Sequence, residues 1–345
     1  MAYKGVIDDF RTIRRRGTPR QVPCVACSEE FDVKWHGKYN YEEFCQDGEK
    51  IFNVYKAAIE KFDYDWAWCQ IDDCFEFEPA GVGVKGEGNI LRATHGYLPA
   101  NRESLRNMPV LNPHKDGRMP EKLKAIKKLR SYFGETVLIT GSCAGPFSAV
   151  GLMWSIEESM MLMLTDFELL RDAMQYWKEF YMRYIEAQKE AGAHAIWLGD
   201  CNAFSSMVSV EQYKKYIFPI TKELIDFAEK KLDVMIWMHN SEIKPDHVVS
   251  HIPLGLSFES IGPAADIKKI RSLTGGKHAV SGNLDPIEVL WRGTPESVAG
   301  EVARIMSICK PGGGYIFNTG EMNPYQVPEE NMTAMMKTAK SLAKY

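Results

Sequence analysis

The sequence lacks an excess of charge of either sign. It has 42 Lys and Arg residues against 46 Asp and Glu residues, a formal net charge of −4 over 345 residues. Nucleic-acid binding needs a concentrated basic face, so this balance argues against that class of partner. Hydrophobic residues make up 45% and charged residues 26%, and no low-complexity segment interrupts the chain. This composition is that of an ordinary globular protein and excludes a disordered, collagen-like or coiled-coil chain.

The sequence also lacks a run of 18 apolar residues, and its first residues, MAYKGVIDDFRTIRRRG, are too polar for the apolar core of a signal peptide. We therefore expect a cytoplasmic protein that does not span a membrane. The eight cysteines are then expected to be reduced thiols. Cys24-x-x-Cys27 has no second pair to complete a zinc site, so both are predicted to be buried beside a strand.

Short apolar runs alternate with amphipathic stretches from about residue 20 onward. Eight runs predict strands: VPCVAC, WAWCQI, TVLITG, HAIWLG, VMIWMH, GLSFES, HAVSGN and GYIFNT. Helices are predicted between and after them at 51–62, 121–133, 167–191, 210–230, 265–273, 295–309 and 328–344. Eight strands alternating with helices are typical of a (β/α)₈ barrel or of a large doubly wound sheet. The count of eight favours a single (β/α)₈ TIM barrel.

A nucleotide-binding loop is missing as well. The string Gly81-x-Gly83-x-x-Gly86 is followed by Glu87-Gly88-Asn89, which does not begin a helix that would hold a pyrophosphate. The prediction is one domain over 1–345, with an N-terminal extension at about 1–20 and an excursion after the second strand at about 81–118. The excursion is either a solvated loop or hairpin, or a lid over the barrel mouth.

The working residues of a (β/α)₈ barrel lie just beyond the C-terminal ends of its strands. In this sequence those positions are rich in Asp, Glu, Asn, Cys and one His, and they contain almost no Lys or Arg. Such a set suits a metal site or acid–base chemistry and gives little grip on an anionic substrate. The set includes Asp72, Asp73, Asp200, Cys201, Asn202, His239, Ser241, Glu259, Asn318 and Glu321. Asp285 before Pro286 has a simpler role as a helix cap, and Glu29 and Glu30 are expected to be surface charges.

Long stretches resemble the uroporphyrinogen decarboxylase superfamily. They are SCAGPFSAVGLMWSIEESMMLMLTDFELL, YIEAQKEAGAHAIWLGDCNAFSSMVSVEQYKKYIFPITKEL, GNLDP and FNTGEMNP followed by ENMTAM. The resemblance covers nearly the whole chain. It implies a (β/α)₈ barrel with its site at the C-terminal mouth, and either porphyrinogen decarboxylation or zinc-dependent methyl transfer with a corrinoid protein.

The residues expected of the decarboxylase are largely missing. The arginines that the family supplies after the first strand to bind carboxylates are replaced by SEEF. A Gly-His pair after the last strand is replaced by Gly320-Glu321, although the family's aspartate after the second strand has a match in Asp72. The resemblance thus implies a methyltransferase that neither binds uroporphyrinogen tightly nor decarboxylates it.

In the thiol-methylating branch, the resemblance places zinc on a His-x-Cys pair after the fifth strand and a Cys after the eighth. These positions are His239, Ser241 and Glu321 here. The predicted zinc ligands are His239 and Glu321 with Cys201, and Asp200 is the alternative third ligand. Fewer thiolates leave zinc more Lewis acidic and better matched to an ether oxygen. The predicted reaction therefore moves a methyl group from a small methylated oxygen compound, preferably an aromatic methyl ether, to a corrinoid protein.

Two further roles complete this prediction. Asp72 or Asp200 would protonate the departing oxygen. The substrate would contact Phe75, Trp197, Asn202, Glu259 and Asn318. The D-x-H-x-x-G signature of corrinoid binding is absent, so the cobalamin must arrive on a partner protein. The alternatives are a methylcorrinoid:thiol methyltransferase, a divergent decarboxylase and a tetrapyrrole binder.

Overall fold

The computed structural model describes residues 3–345. A seven-stranded parallel sheet has the order β1-β4-β5-β6-β7-β8-β9, and β2 and β3 form a separate antiparallel hairpin. The strands are β1 (Trp66–Trp68), β2 (Gly83–Lys85), β3 (Ala93–Gly96), β4 (Leu138–Ala144), β5 (Ala195–Gly199), β6 (Met235–Glu242), β7 (Phe258–Ile261), β8 (Val280–Ser281) and β9 (Tyr315–Ile316). The seven sheet strands coincide with seven of the eight predicted runs.

The eighth predicted run, residues 22–27, closes the sheet into a barrel. Val25 N donates to Phe317 O at 3.0 Å and Phe317 N donates to Pro23 O at 2.9 Å, next to β9. On the other side Asp65 N donates to Cys24 O at 3.0 Å, next to β1. The run therefore hydrogen-bonds to both edges of the sheet, which confirms the predicted (β/α)₈ barrel.

Helices surround the barrel. In the described chain they are α1 (Val6–Arg14), α2 (Glu29–His36), α3 (Tyr41–Phe44), α4 (Gly48–Phe62), α5 (Arg102–Arg106), α6 (Met119–Phe133), α7 (Pro146–Trp154), α8 (Ile156–Thr165), α9 (Phe167–Ala191), α10 (Val210–Gln212), α11 (Phe218–Asp226), α12 (Pro245–His251), α13 (Ile267–Thr274), α14 (Pro295–Cys309) and α15 (Glu329–Leu342). Residues Tyr213–Ile217, Phe227–Lys231 and Pro286–Trp291 are π-helical, and Cys201–Ala203 and Ile252–Leu254 are 3₁₀ turns.

Local signals set the ends of the long helices. Asp166 accepts a hydrogen bond from Leu169 N at the start of α9, and Gly192 ends that helix at φ 111°. Thr294 forms a capping box with Ser297 at the start of α14. The predicted bounds 167–191 and 295–309 are therefore correct. Asp285 accepts from Ile287 N and Glu288 N, which confirms its predicted capping role.

The N-terminal extension is a helix that covers the bottom of the barrel. Phe10 of α1 is fully buried and packs edge-on against Phe258, with 5.9 Å between ring centroids. Arg16 donates to the carbonyls of Leu256 and Ser257, just before β7. These contacts lie at the N-terminal ends of the strands, so they leave the opposite end open.

The excursion at 81–118 is largely exposed and contacts α7. It contains the β2–β3 hairpin and α5, and Leu98 N donates to Met153 O of α7 at 2.9 Å. The Gly81-x-Gly83-x-x-Gly86 string runs into this hairpin and not into a helix. No single helix among residues 3–345 is long and apolar enough to cross a membrane, although α7 and α8 together, bent by 113°, pass the same test of length and composition.

Candidate active site

A cavity of about 180 Å³ opens at the C-terminal ends of the barrel strands. Its lining combines two indoles, several polar side chains and two thiols. Fourteen described residues line it: Trp68, Gln70, Asp73, Cys143, Ala144, Ser148, Leu152, Trp197, Gly199, Cys201, Asn202, His239, Glu321 and Met322. Larger grooves on the outer helices have no comparable set of polar groups facing an enclosed space.

His239, the fifth residue of β6, lies at the centre of this site. Its Nδ1 lies 2.9 Å from Ser260 Oγ on β7, and its ring stacks on Trp197 at 4.7 Å between centroids. Nε2 lies 3.5 Å from Glu321 Oε2, and Cys201 Sγ donates to the backbone carbonyl of His239 at 3.8 Å. Burial would lower the pKa of His239, but the facing Glu321 carboxylate and Cys201 thiol raise it to about 10. The His239 imidazole thus faces two side chains that stabilise its protonated form.

Tight backbone contacts position Ser241 and Glu321. Ser241 has φ 52°, a left-handed conformation that is uncommon outside glycine and is often found at functional sites. The pairing of β6 with β7 is interrupted between His239 and Glu242 at this place. A Cβ on Gly320 would lie 2.5 Å from Pro263 N, so glycine is required next to Glu321. Ser241 Oγ then donates to Glu321 Oε1 and lies 3.3 Å from His239 Nε2.

The chemistry of these donors fits zinc. Imidazole nitrogen, carboxylate oxygen and thiolate sulfur are its usual ligands, and a second partner normally orients the imidazole, as Ser260 does here. In the described chain no group of three or more His, Cys, Asp or Glu side chains is close enough, as placed, to hold a metal. The Ser241 hydroxyl bridges His239 and Glu321. The predicted ligands His239, Glu321 and Cys201 therefore share one cavity without forming a closed metal cage.

The alternative ligand Asp200 lies behind the cavity wall. It is fully buried, and Ser148 Oγ donates to its Oδ1 at 2.8 Å. Glycine at 145 is required because a Cβ there would lie 2.3 Å from Asp200 Oδ1. Burial raises the pKa of Asp200 to about 6. The hydroxyl of Ser148, and not the carboxyl of Asp200, faces the cavity.

Asp72 does not line the cavity, and its neighbour Asp73 does. Both oxygens of Asp72 accept from Arg118, at 2.7 and 3.0 Å, and this arginine also donates to Glu78. Asp73 is exposed at the cavity and accepts a hydrogen bond from Gln70 Nε2. Crowding by protein atoms and the charge of Asp72 raise the pKa of Asp73. The structure thus places Asp73 where sequence reasoning expected Asp72.

The predicted substrate contacts divide in two. Trp197 and Asn202 line the cavity, whereas Phe75, Glu259 and Asn318 do not. Phe75 lies in the core beneath the Arg118 guanidinium, 4.1 Å from the ring centroid. Asn318 is buried and donates to Cys27 Sγ at 3.2 Å. Lining residues that sequence reasoning did not select for a role at the site include Trp68, Gln70, Ser148 and Leu152.

Glu259 is sealed by two histidines. Its Oε1 lies 2.8 Å from His251 Nδ1 and its Oε2 lies 2.5 Å from His278 Nε2, and all three side chains are at most 1% exposed. Burial alone would raise the pKa of Glu259, but the two imidazoles lower it to about 2. It is a structural ion pair and not a substrate contact.

The expectation that Glu29 is a surface charge is also wrong, since it is 1% exposed. Burial raises its pKa well above the ordinary value. Glu29 Oε2, Tyr55 Oη and Trp68 Nε1 have no protein partner, and all three residues line a second cavity of about 10 Å³. That volume corresponds to about one water molecule. All eight cysteines are free thiols, as predicted, and Cys24 and Cys27 are buried.

The uroporphyrinogen decarboxylase (URO-D) family matches residues 8–342. The chain belongs to the uroporphyrinogen decarboxylase family. The resemblance seen in the sequence is confirmed. Within this family the chain is 26% identical over 344 residues to a methylcobamide:CoM methyltransferase of Methanosarcina acetivorans, covering 96% of each. It is 24% identical over 317 residues to a uroporphyrinogen decarboxylase of Carboxydothermus hydrogenoformans, covering 89% of this chain and 87% of that protein.

Among solved structures, this URO-D family member is similar to a methyltransferase from Methanosarcina mazei. The TM-score is 0.85 at 18% identity, covering 97% of this chain and 98% of the other. A likeness at this identity establishes the fold. The same barrel therefore serves relatives of two different activities, so the residues in the cavity must decide between them.

Proposed function

We propose that the protein is a corrinoid-dependent methyltransferase that takes a methyl group from a small aromatic methyl ether. The observation that carries the proposal is the convergence of His239, Glu321 and Cys201 on one cavity at the barrel mouth. The relatives named as methylcobamide:CoM methyltransferases support methyl transfer as the reaction class. The cobalt cofactor would be carried by a partner protein as a co-substrate, and a cytoplasmic location is part of the proposal.

His239, Glu321 and Cys201 would hold zinc, and Ser241 lies beside them at the position where the thiol-methylating branch is expected to have a cysteine. Bound there, zinc would supply a Lewis acid that stabilises negative charge on an ether oxygen. Ser260 fixes the His239 ring through Nδ1 and leaves Nε2 facing the ligand side. One thiolate, one carboxylate and one imidazole make a harder set than two thiolates, which favours an oxygen substrate.

Asp73 is the side chain we assign to proton transfer. It stands in the cavity with Gln70 as its hydrogen-bond partner, and the surrounding protein atoms and the charge of Asp72 raise its pKa, which is the direction that a general acid requires. The leaving oxygen of a cleaved ether needs one proton, and Asp73 would supply it. Asp200, the other candidate, reaches the cavity only through the Ser148 hydroxyl.

Methyl transfer from a methylcorrinoid to a thiol is the second candidate. The names of the relatives favour it, including a methylated-thiol–coenzyme M methyltransferase of Methanosarcina mazei that is 27% identical over 294 residues. Ser241 and Glu321, where that branch is expected to have cysteines, argue against it. Porphyrinogen chemistry is disfavoured by size: about 150 Å³ accommodates one benzene ring, and a cavity of about 180 Å³ is far smaller than four pyrrole rings require.

One assay separates these functions. Zinc-supplemented protein is mixed with cob(I)alamin and a panel of methoxyarenes and methanol, and the cobalt spectrum reports methylcobalamin. The reverse arm supplies methylcobalamin and 2-mercaptoethanesulfonate, and a third arm supplies uroporphyrinogen. We expect methylcobalamin from a methoxyarene and no decarboxylation. Thiol methylation that outpaces every ether cleavage would replace the proposal with the second candidate, and coproporphyrinogen formed at enzymatic rates would restore the decarboxylase.

A further inference from the structure

The cavity lining provides no free cation for an anion, since the two charges of a bound zinc would be matched by the Glu321 carboxylate and the Cys201 thiolate. None of the fourteen described residues that line it is Lys or Arg. Its ionisable oxygen groups are the carboxyls of Asp73 and Glu321, and the one imidazole, His239, is already matched by Glu321 at 3.5 Å. A buried ion without a partner is strongly disfavoured, so an anionic substituent would enter this space at a large cost.

The two cations nearest the loop after β1 are occupied elsewhere. Lys122 is 1% exposed, and its Nζ donates to both the carbonyl and the hydroxyl of Ser142. Arg118 forms its two-point contact with Asp72 and a further bond to Glu78. Both also lie over the ring of Phe75, at 5.2 and 4.1 Å from its centroid. Neither is free to turn toward a ligand without losing these buried partners.

Two indoles form an aromatic wall of the same cavity. Trp68 and Trp197 meet edge to face, with 5.2 Å between centroids and 71° between planes, and Trp197 also stacks on His239. Aromatic faces favour flat apolar rings and attract cations, and their negative quadrupole is unfavourable for anions. The two indoles and the two carboxyls thus both favour a neutral or cationic ligand over an anionic one.

We infer that the methyl donor is a single-ring compound that carries no anionic group, and that an uncharged or a cationic substituent is accepted. This rests on the proposed function, and it narrows the substrate class by charge. The carrying observation is a cavity of about 180 Å³ lined by Trp68, Trp197, Asp73 and Glu321 and by no described Lys or Arg. Common methoxyarenes bearing a carboxylate are therefore excluded from the substrates.

Three donors of nearly equal shape test this at neutral pH: 4-methoxytoluene, 4-methoxybenzylamine and 4-methoxybenzoate. Their kcat/KM values are measured with cob(I)alamin and the zinc-supplemented protein. We expect the neutral and cationic donors to agree within about tenfold and the anion to be at least about a hundredfold slower, which corresponds to about 2.7 kcal/mol in the barrier. An anion that reacts within tenfold of the neutral donor would overturn the inference.

A lysine introduced into the cavity wall tests the same charge argument, with an uncharged substitution at the same position as the control. Leu152 of α7 lines the cavity and is only partly buried, so a lysine can be placed there with its stem along the wall. Because it supplies the missing partner charge, Leu152→Lys should favour the anionic donor. The ratio of the two specificity constants, 4-methoxybenzoate over 4-methoxytoluene, should rise at least about tenfold. Leu152→Met, with a similar volume and no charge, should leave this ratio unchanged. An equal change in both variants would contradict the charge argument.

A binding measurement keeps the inference testable if no methoxyarene reacts. Benzylammonium and benzoate, which carry no methyl group to transfer, are titrated into the wild-type protein by calorimetry. Benzylammonium should bind at least about tenfold more tightly than benzoate. Equal binding of the two, or binding of neither, would overturn the substrate class, whereas loss of turnover with this preference intact would overturn only the proposed reaction.

Discussion

The barrel contains two histidine–carboxylate clusters, and they differ most in their access to solvent. Glu259 is enclosed by His251 and His278, and none of the three side chains is more than 1% exposed. His239 meets Glu321 at 3.5 Å, and the Glu321 side chain is 39% exposed at the cavity. We call them the sealed cluster and the open pair. Both oxygens of the sealed carboxylate contact an imidazole in a space closed to solvent, whereas the open pair faces the cavity, where it can meet a ligand.

A charged side chain at the end of a barrel strand identifies a site only if its protein partners leave it able to bind a ligand. Glu259 and Glu321 both follow the rule for barrel active sites, and sequence position alone treats them alike. The pKa of Glu259 is lowered to about 2 because two imidazoles surround it. Burial would lower the pKa of His239, but Glu321 and Cys201, which both face it, raise this pKa to about 10.

The largest expected effect is on the stability of the sealed cluster. Glu259→Gln removes the charge that both buried imidazoles face, and breaking a buried ion pair typically costs about 3–5 kcal/mol. We expect a loss of this size in the free energy of unfolding, measured with urea. Glu321→Gln, at the open pair, should cost less, because that carboxylate is 39% exposed and water weakens its interaction with His239. Equal losses would mean that the two clusters are not different in kind.

A smaller effect is expected on turnover at the open side. Asp73→Asn removes the acid assigned to the leaving oxygen, and general acid catalysis contributes at least about a hundredfold. Methanol or an alkyl ether should suffer more than a phenolic ether, because an alkoxide needs the proton more than a phenolate does. The measurement is kcat with each donor. Asp72→Asn is the neighbouring control and should not change the ratio between donors, because Asp72 is bound to Arg118 outside the cavity.

Exchanging the zinc ligands for cysteines should slow ether cleavage less than removing a ligand would. Ser241→Cys combined with Glu321→Cys restores the thiol-type set and should soften the zinc. Removing one transition-state charge stabiliser costs about 2.7–4 kcal/mol, and a softer metal should lose part of this. We expect ether cleavage to fall about tenfold, or about 1.4 kcal/mol, with zinc retained. Ether cleavage that is unchanged or faster would refute the Lewis-acidity argument.

The last prediction concerns acid and tests the same cluster as the first. Because the pKa of Glu259 falls from 4.5 to about 2 on folding, its stabilisation is complete above 4.5 and is lost as the pH falls toward 2. The difference in unfolding free energy between wild type and Glu259→Gln should therefore shrink between about pH 5 and pH 2. A difference that stays constant over this range would show that Glu259 is not held ionised by its histidines.

Sequence patterns predicted the barrel well because strand and helix periodicity are local properties. The helix bounds at 167–191 and 295–309 follow from capping residues next to the apolar pattern. The short helices α2 and α7 were not predicted. α7 buries eight of its nine residues and so lacks a polar face, and α2 is only eight residues long with four of them buried. The segment at 83–96 was expected to be a loop or hairpin, or a lid, and the sequence could not decide between these because its two strands are short and largely exposed.

The site could be predicted only in part, because side-chain direction depends on distant partners. Asp72 and Asp73 are adjacent, and what separates them is Arg118, 46 residues further along the chain, which binds Asp72. Phe75 was expected to contact substrate but lies under the same arginine. His239 and Glu321 were predicted together, and they meet because β6 and the segment after β9 end at the same mouth.

Zinc analysis tests the central claim most directly. The metal content per chain is measured for the wild type, for His239→Ala and for His114→Ala, whose histidine is exposed outside the cavity. We expect one zinc per chain in the wild type and in His114→Ala. We expect His239→Ala to fold but to lose both zinc and turnover. Full zinc occupancy in His239→Ala, or a wild-type protein that turns over ethers without zinc, would contradict the central claim.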